Sequence, residues 1–250
     1  MRKLFTYVLT LFTAVTISTS CGVNGEDADV YTSIATVVEG TSSIPYYVVL
    51  DDGKEAYVTN TSEWSPSFSE KQTELRYIVA YEVVNERSSI FDMEIKLIQV
   101  TPIATQSGGL YIATAEDFTD EGTLKLHTYD SGASVDVCFI SPARDYITLM
   151  IQFLGTYTNA SPKMKLVLNN PANSPHKDLY TEGDGYLYLE LYHDNTEYMG
   201  EQEMTTYWSC KMPDVDTIIN QYSGVKIIAK NHNTERYEVY KFNFATEEQK

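Results

Sequence analysis

The 250-residue sequence is poor in bases, in cysteine and in histidine, and each shortage narrows its function. Lys and Arg number 18 against 35 Asp and Glu, a formal net charge of −17 at pH 7. A surface of that sign repels phosphate backbones and anionic lipid head groups, which argues against nucleic acid as a partner. The four histidines, His127, His176, His193 and His232, lie 49, 17 and 39 residues apart. None stands in an H-E-x-x-H pattern or at metal-ligand spacing, so each reads as an ordinary histidine and no metal is expected. There is no G-x-S-x-G, no P-loop and no dinucleotide fingerprint, and no cofactor is called for. Asp51-Asp52-Gly53 and Asp214-Val215-Asp216 lack the alternating ligands and distal Glu of a calcium loop. Carboxylates are so plentiful that no glycosidase-like pair stands out among them.

Long apolar runs are equally scarce: the sequence has one, at its start. Met1-Arg2-Lys3 carries two positive charges, and Leu4 to Ile17 carries none of either sign. Such a run is too short to span a membrane, which takes roughly 20 residues, and reads as a secretory signal over residues 1–20. Ser18-Thr19-Ser20-Cys21 resembles a bacterial lipobox, with Ser18 where Leu or Val is usual. That resemblance implies cleavage before Cys21 and acylation of its thiol. Residues 21–29 then form a small, acidic tether. The chain is thus expected at the outer membrane or elsewhere in the cell envelope, held by lipid, with surface or periplasmic orientation open. Simple secretion with Cys21 as a plain thiol is the alternative.

What is abundant is tyrosine, 20 residues, and period-two alternation. Both favour strands. Phe91 to Leu97 puts Phe, Met, Ile and Leu on one face and Asp, Glu and Lys on the other. Leu75, Tyr77, Val79, Tyr81 and Val83 line one face of another run. Asp51-Asp52-Gly53 joins two β-rich runs as a hairpin turn, because Asp-Gly tolerates positive φ. Five strands before Pro102 predict a small OB-like five-stranded barrel over residues 30–103. Pro102 and Gln106-Ser107-Gly108-Gly109 interrupt the pattern and mark the boundary. Residues 104–250 resume with strand-like runs bounded by Gly, Pro, Asn, Asp or Ser, a β-sandwich of seven to eight strands. The fold class is therefore all-β. Short helices are expected only at Asp214 to Tyr222 and Ala115 to Phe118.

Tyr31-Thr32-Ser33-Ile34-Ala35-Thr36-Val37-Val38, followed by Tyr46-Tyr47-Val48-Val49-Leu50-Asp51-Asp52-Gly53, resembles the N-terminal domain of NigD-like proteins. The later Tyr/Val strand, paired with one ending near Gln99-Val100, adds to the likeness. The resemblance implies a lipoprotein signal, an OB-like domain and a β-sandwich in that order. The family is named after a gene in a bacteriocin operon, and it supplies no functional residues to carry over.

Two sets of residues are candidate sites. Cys138 and Cys210 lie in strand-like runs 72 residues apart, and outside the cytoplasm they are candidates for an inter-sheet disulfide. Two buried, unpaired thiols are the alternative. In Tyr186 to His193, Leu187, Leu189 and Leu191 form the core face, which turns Tyr186, Tyr188, Glu190 and Tyr192 outward. A row of rings beside a carboxylate resembles a ligand platform. Cross-strand tyrosines also stabilise a sheet without any ligand, and the preceding loop could cover them.

These features favour a non-enzymatic, lipid-tethered interaction module for a protein or glycan partner. An oligonucleotide on the OB-like domain is disfavoured by its 11 acids against 5 bases between Val30 and Ile103. An extracytoplasmic glycan hydrolase, with a carboxylate pair hidden by sequence distance, is the alternative. A bacteriocin-associated immunity role rests on the family's naming alone.

Overall fold

The computed structural model describes residues 29–41, 44–68, 75–88, 90–118, 124, 131–141, 144–155, 163–194, 200 and 202–244. The signal segment, Cys21, the tether up to residue 28 and His127 lie outside them. The chain divides into two compact units, Met1–Pro102 and Ile103–Lys250.

The first unit is a closed barrel of β1 (Val30–Thr41), β2 (Ile44–Leu50), β3 (Glu55–Val58), β4 (Leu75–Asn85) and β5 (Met93–Pro102). Its strand order is β1-β2-β3-β5-β4, with β4 returning to β1. Only β3 and β5 run parallel. Alternation decides which side chains face in. Ala35, Val37, Val48, Leu50, Ala56, Val58, Tyr77, Val79, Tyr81, Ile95 and Leu97 fill the interior. The hairpin turns at the expected place but over three residues, Asp51 to Gly53: the Leu50 N–H donates to the Lys54 carbonyl and the Gly53 N–H to the Leu50 carbonyl, both at 2.9 Å, and of the turn residues only Gly53 takes positive φ, +91. On the outside of β4, the Arg76 guanidinium is buried, bonded twice to Asp51 at 2.6 and 2.9 Å and once to Thr36 Oγ1 at 2.9 Å.

A helix absent from the sequence reading, α1 (Thr61–Phe68), links β3 to β4. Its sequence has no apolar period and contains Pro66, so nothing local announces it. Tertiary contacts hold its start. Asn60 donates to Glu63 at 3.1 Å and to the Leu97 carbonyl at 2.9 Å, and accepts from the Leu97 N–H at 3.0 Å. Trp64 packs against the barrel core.

The second unit is a sandwich of nine strands among the described residues. Its four-stranded sheet holds β6 (Ala104–Thr105), β8 (Ser134–Ser141), β9 (Tyr146–Gly155) and β12 (Gln202–Lys211), in the order β6-β12-β9-β8. The five-stranded sheet holds β7 (Tyr111–Ala113), β10 (Lys163–Asn169), β11 (Tyr186–Asp194), β13 (Gly224–Lys230) and β14 (Tyr237–Asn243), in the order β14-β13-β11-β10-β7. The runs expected from alternation are β8 to β14. The two additional strands, β6 and β7, are too short to show a period. Inward residues of both sheets, including Ile147, Leu149, Ile151, Leu166, Leu189, Leu191, Trp208 and Ile227, form one core. The Gln106-Gly109 stretch belongs to this unit. The Gln106 side chain bonds the Leu166 N–H at 2.7 Å and its carbonyl at 3.2 Å, as a strand neighbour would.

Candidate functional site

The outer face of β11 is the first place to look, and the structure covers it. Leu187, Leu189 and Leu191 face the core as expected. The opposite residues are not a platform: Tyr188 is 9% exposed, Glu190 0% and Tyr192 0%, and only Tyr186 keeps partial exposure. The expected row of outward rings is corrected on this point. The cover is the segment 170–185, with 3-10 turns at Pro171–Asn173 and Lys177–Leu179. A second small core of Ala113, Phe118, Leu124, Val167 and Tyr192 completes it.

Burying a carboxylate is costly unless hydrogen bonds replace its water. Glu190 has four such donors. Tyr180 and Ser174 donate their hydroxyls to Oε1, Tyr180 at 2.7 Å, and Tyr192 donates to Oε2 at 2.8 Å. Asn169 Nδ2 reaches Oε2 at 3.4 Å. Burial, followed by the charge of Glu190, pushes the Tyr180 hydroxyl far above its ordinary range, so it stays a donor. Beside this group, Tyr188 donates to Asp184 at 2.6 Å and accepts from the Thr181 N–H at 3.0 Å and Lys226 Nζ at 2.9 Å. Lys226 also pairs with Asp184. Burial alone would raise Asp184, but the bonds from Lys226, Tyr188 and the Tyr186 N–H outweigh it and hold the carboxyl low. Every oxygen of Glu190 is spoken for, so the group fastens a loop and leaves no acceptor for a ligand.

Cys138 and Cys210 are free thiols, the alternative kept above, and the candidate inter-sheet disulfide is corrected. They lie on β8 and β12 of one sheet, opposite Leu149 and Ile147 of the intervening β9. Two strand spacings, roughly 10 Å, exceed the reach of a disulfide, whose Cα atoms lie within about 7 Å. Burial pushes both thiols up to about 12.

The acidic motifs are also spent on structure. Asp214 caps α2 (Val215–Gln221), accepting from the Thr217 N–H at 3.1 Å and its hydroxyl at 2.6 Å. Those bonds hold its carboxyl low. Asp51 binds Arg76, and Asp52 pairs with Lys54 at 3.0 Å. Among the described residues no group of three His, Cys, Asp or Glu is placed to hold a metal ion. His176 stacks on Tyr237 with centroids 3.7 Å apart, and His193 is buried beside Phe153, with Nδ1 3.0 Å from the Gly132 carbonyl. His232 Nδ1 lies 2.7 Å from Ser134 Oγ, with Nε2 3.8 Å from Glu203. Burial lowers the pKa of His232, against the pull of Glu203 and Asp136. The hydroxyl faces Nδ1 and is itself buried, so this pair lacks the exposed nucleophile of a hydrolase.

A different surface of the chain carries a group of half-buried rings on the outside of the barrel. Cross-strand register places Val38, Tyr47, Tyr57 and Glu94 in one row on the outside of β1, β2, β3 and β5. All four, and Phe91 beside them, are half-buried. The Phe91 ring lies over the tyrosines, with centroids 5.3 Å from Tyr47 and 6.0 Å from Tyr57. Asp92 holds this loop in place: its carboxylate accepts from the Glu55 N–H and its N–H donates to the Glu55 carbonyl, both at 2.9 Å. Part of this face was readable. The hairpin was readable from Asp-Gly, but its three-residue loop sets the register that pairs Tyr47 with Tyr57, where a two-residue Asp-Gly turn would pair Tyr47 with Val58. Phe91, expected from alternation to share a face with Met93, Ile95 and Leu97, instead precedes β5 and seats its ring on the outer tyrosines, which corrects that reading.

Residues 34–103 match the family model described as the NigD-like N-terminal OB domain. The barrel is therefore similar to the NigD-like N-terminal OB domain. Solved structures extend the likeness to the second unit. A protein of unknown function from Bacteroides vulgatus ATCC 8482 superposes with a TM-score of 0.62 at 19% identity, covering 88% of this chain and 93% of its own. A protein from Parabacteroides distasonis ATCC 8503, described provisionally as toxin-related, gives 0.55 at 17% identity, covering 88% and 96%. A NigD-like immunity protein from Bacteroides caccae ATCC 43185 gives 0.52 at 13% identity, covering 88% and 99%. At these identities the likeness establishes a shared fold. No curated protein matches the sequence.

Proposed function

We propose that this chain is a lipid-anchored cell-envelope protein that works by binding rather than by catalysis. The observation that carries the reading is the ring set Tyr47, Tyr57 and Phe91, held outward on the NigD-like barrel by strand register and by the Asp92–Glu55 bonds. Half-buried, positioned aromatic side chains are a frequent basis of recognition. The best-formed carboxylate cluster, around Glu190, supports the fold instead. Anchoring through Cys21 rests on the sequence signal. One fold relative is described as an immunity protein, and the same surface suits a protein partner in a role of that kind.

The test is retention. The full chain, purified in detergent and immobilised, is exposed to an envelope extract beside a Tyr47→Ala/Tyr57→Ala variant. Both must show the same circular dichroism. Material retained by the unaltered chain and lost by the variant supports the reading. Equal retention overturns it.

A further inference from the structure

We infer that the barrel face at Tyr47, Tyr57 and Phe91 is a binding site for neutral oligosaccharides, an inference that rests on the binding role proposed above and names its ligand class. Three features converge there. The rings form one contiguous apolar surface across β2 and β3. The C–H faces of a pyranose ring fit such a surface, because they lose water without losing a hydrogen bond.

The rim is acidic. Glu94 ends the same row as Tyr57, and Glu55 and the exposed Asp92 lie at the edge beside Phe91. Carboxylates accept from hydroxyl donors and repel anions. Among the described cations of the barrel, three are engaged, while Arg87 in the loop before Phe91 is exposed. Arg76 is buried against Asp51, Lys54 pairs with Asp52, and Lys96 lies 3.9 Å from Glu82. A ligand that is apolar on its faces, rich in hydroxyl donors on its edges and free of negative charge satisfies this surface. A neutral sugar chain has all three properties. A nucleic acid or a uronic-acid polymer has negative charge and does not.

The ring geometry is also fixed before any ligand arrives. Tyr47 and Tyr57 are direct cross-strand partners, their rings pack against Phe91, and the Phe91 backbone is placed by the paired Asp92–Glu55 bonds. A preformed platform avoids ordering costs on binding.

The experiment is calorimetric titration of the full chain in detergent with cellohexaose, maltohexaose and mannohexaose, and with hexagalacturonate as the anionic control. At least one neutral hexaose should bind, and hexagalacturonate should not. Tyr57→Ala and Phe91→Ala should each weaken binding about tenfold with unchanged circular dichroism, while Tyr57→Phe, which keeps the ring, should bind within about twofold. Binding of none of the three neutral sugars overturns the inference. So does preferential binding of hexagalacturonate, or neutral binding untouched by Tyr57→Ala and Phe91→Ala. A periodate-treated envelope extract separates this failure from that of the broader reading. Retention that survives sugar oxidation but still needs Tyr47 and Tyr57 removes the sugar and leaves a protein-binding surface.

Discussion

Tyr180 donates its hydroxyl to Oε1 of Glu190 at 2.7 Å, tying a loop turn to the middle of a sheet strand. The bond spans ten residues of sequence and closes over a carboxylate that water no longer reaches. Removing either end should therefore be felt in the fold. Glu190→Ala leaves three hydroxyls and an amide without their acceptor, at a cost of about 3 kcal/mol or more. Tyr180→Phe loses one donor and should cost about 1 to 2 kcal/mol. Urea denaturation followed by circular dichroism reads both.

The tyrosines of β11 should rank by burial. Tyr192→Ala empties a wholly buried site between Phe118 and His176 and should cost about 3 to 5 kcal/mol, comparable to Leu189→Ala in the core beneath. Tyr186→Ala, at the partly exposed start of the strand, should cost about 1 kcal/mol or less. Equal costs for Tyr186 and Tyr192 would contradict the described cover.

The contrast along this one strand shows what a sequence conveys. Alternation in Tyr186 to His193 identified the strand and its leucine face, because side-chain period is local. Burial of the other face was not local. It depends on Ser174, Tyr180 and Asp184, which sit in an Asn-, Pro- and Gly-rich segment that reads only as loop. The same split holds in the barrel. The Asp-Gly signal made the hairpin legible but not its register, which the three-residue loop sets, and α1 and the seat of Phe91 follow from contacts made by Asn60 and Asp92. The cysteines stayed open between a bridge and free thiols for a related reason: spacing cannot reveal that β9 lies between their strands.

The thiols give a chemical check. Peptides containing Cys138 and Cys210 should both be alkylated by iodoacetamide in urea without any reductant. In the native protein at pH 8 the reaction should be slow, because burial pushes both thiols up to about 12 and leaves little thiolate. Peptide mass spectrometry distinguishes this from a linked pair.

His232 should make stability depend on pH. Its folded-state pKa is depressed by burial, so the unfolded chain binds the proton more readily. Stability from this residue is full above its unfolded value, about 6.5, and falls as pH drops below it. The fall levels off once pH passes the lower folded-state value. His232→Asn, which keeps an acceptor for Ser134, should flatten that part of the urea-midpoint profile against the unaltered chain.

Anchoring is testable by fractionation. With Cys21 acylated, the chain should sediment with membranes, and Cys21→Ser should move it to the soluble fraction. Unchanged sedimentation of the variant would remove the lipid.

The position of β5 in the barrel has a consequence for the order in which the chain can assemble. β5 is the last strand of its unit in sequence, yet it sits between β3 and β4 in space. A chain emerging from its N-terminus can pair β1 with β2, β2 with β3 and β4 with β1, but these make only an open four-stranded sheet. Closure waits for Met93–Pro102, which zips onto both remaining edges at once. β5 is thus the keystone of the unit. Until it is delivered, β3 and β4 expose unpaired backbone, the condition under which strands of different molecules find each other.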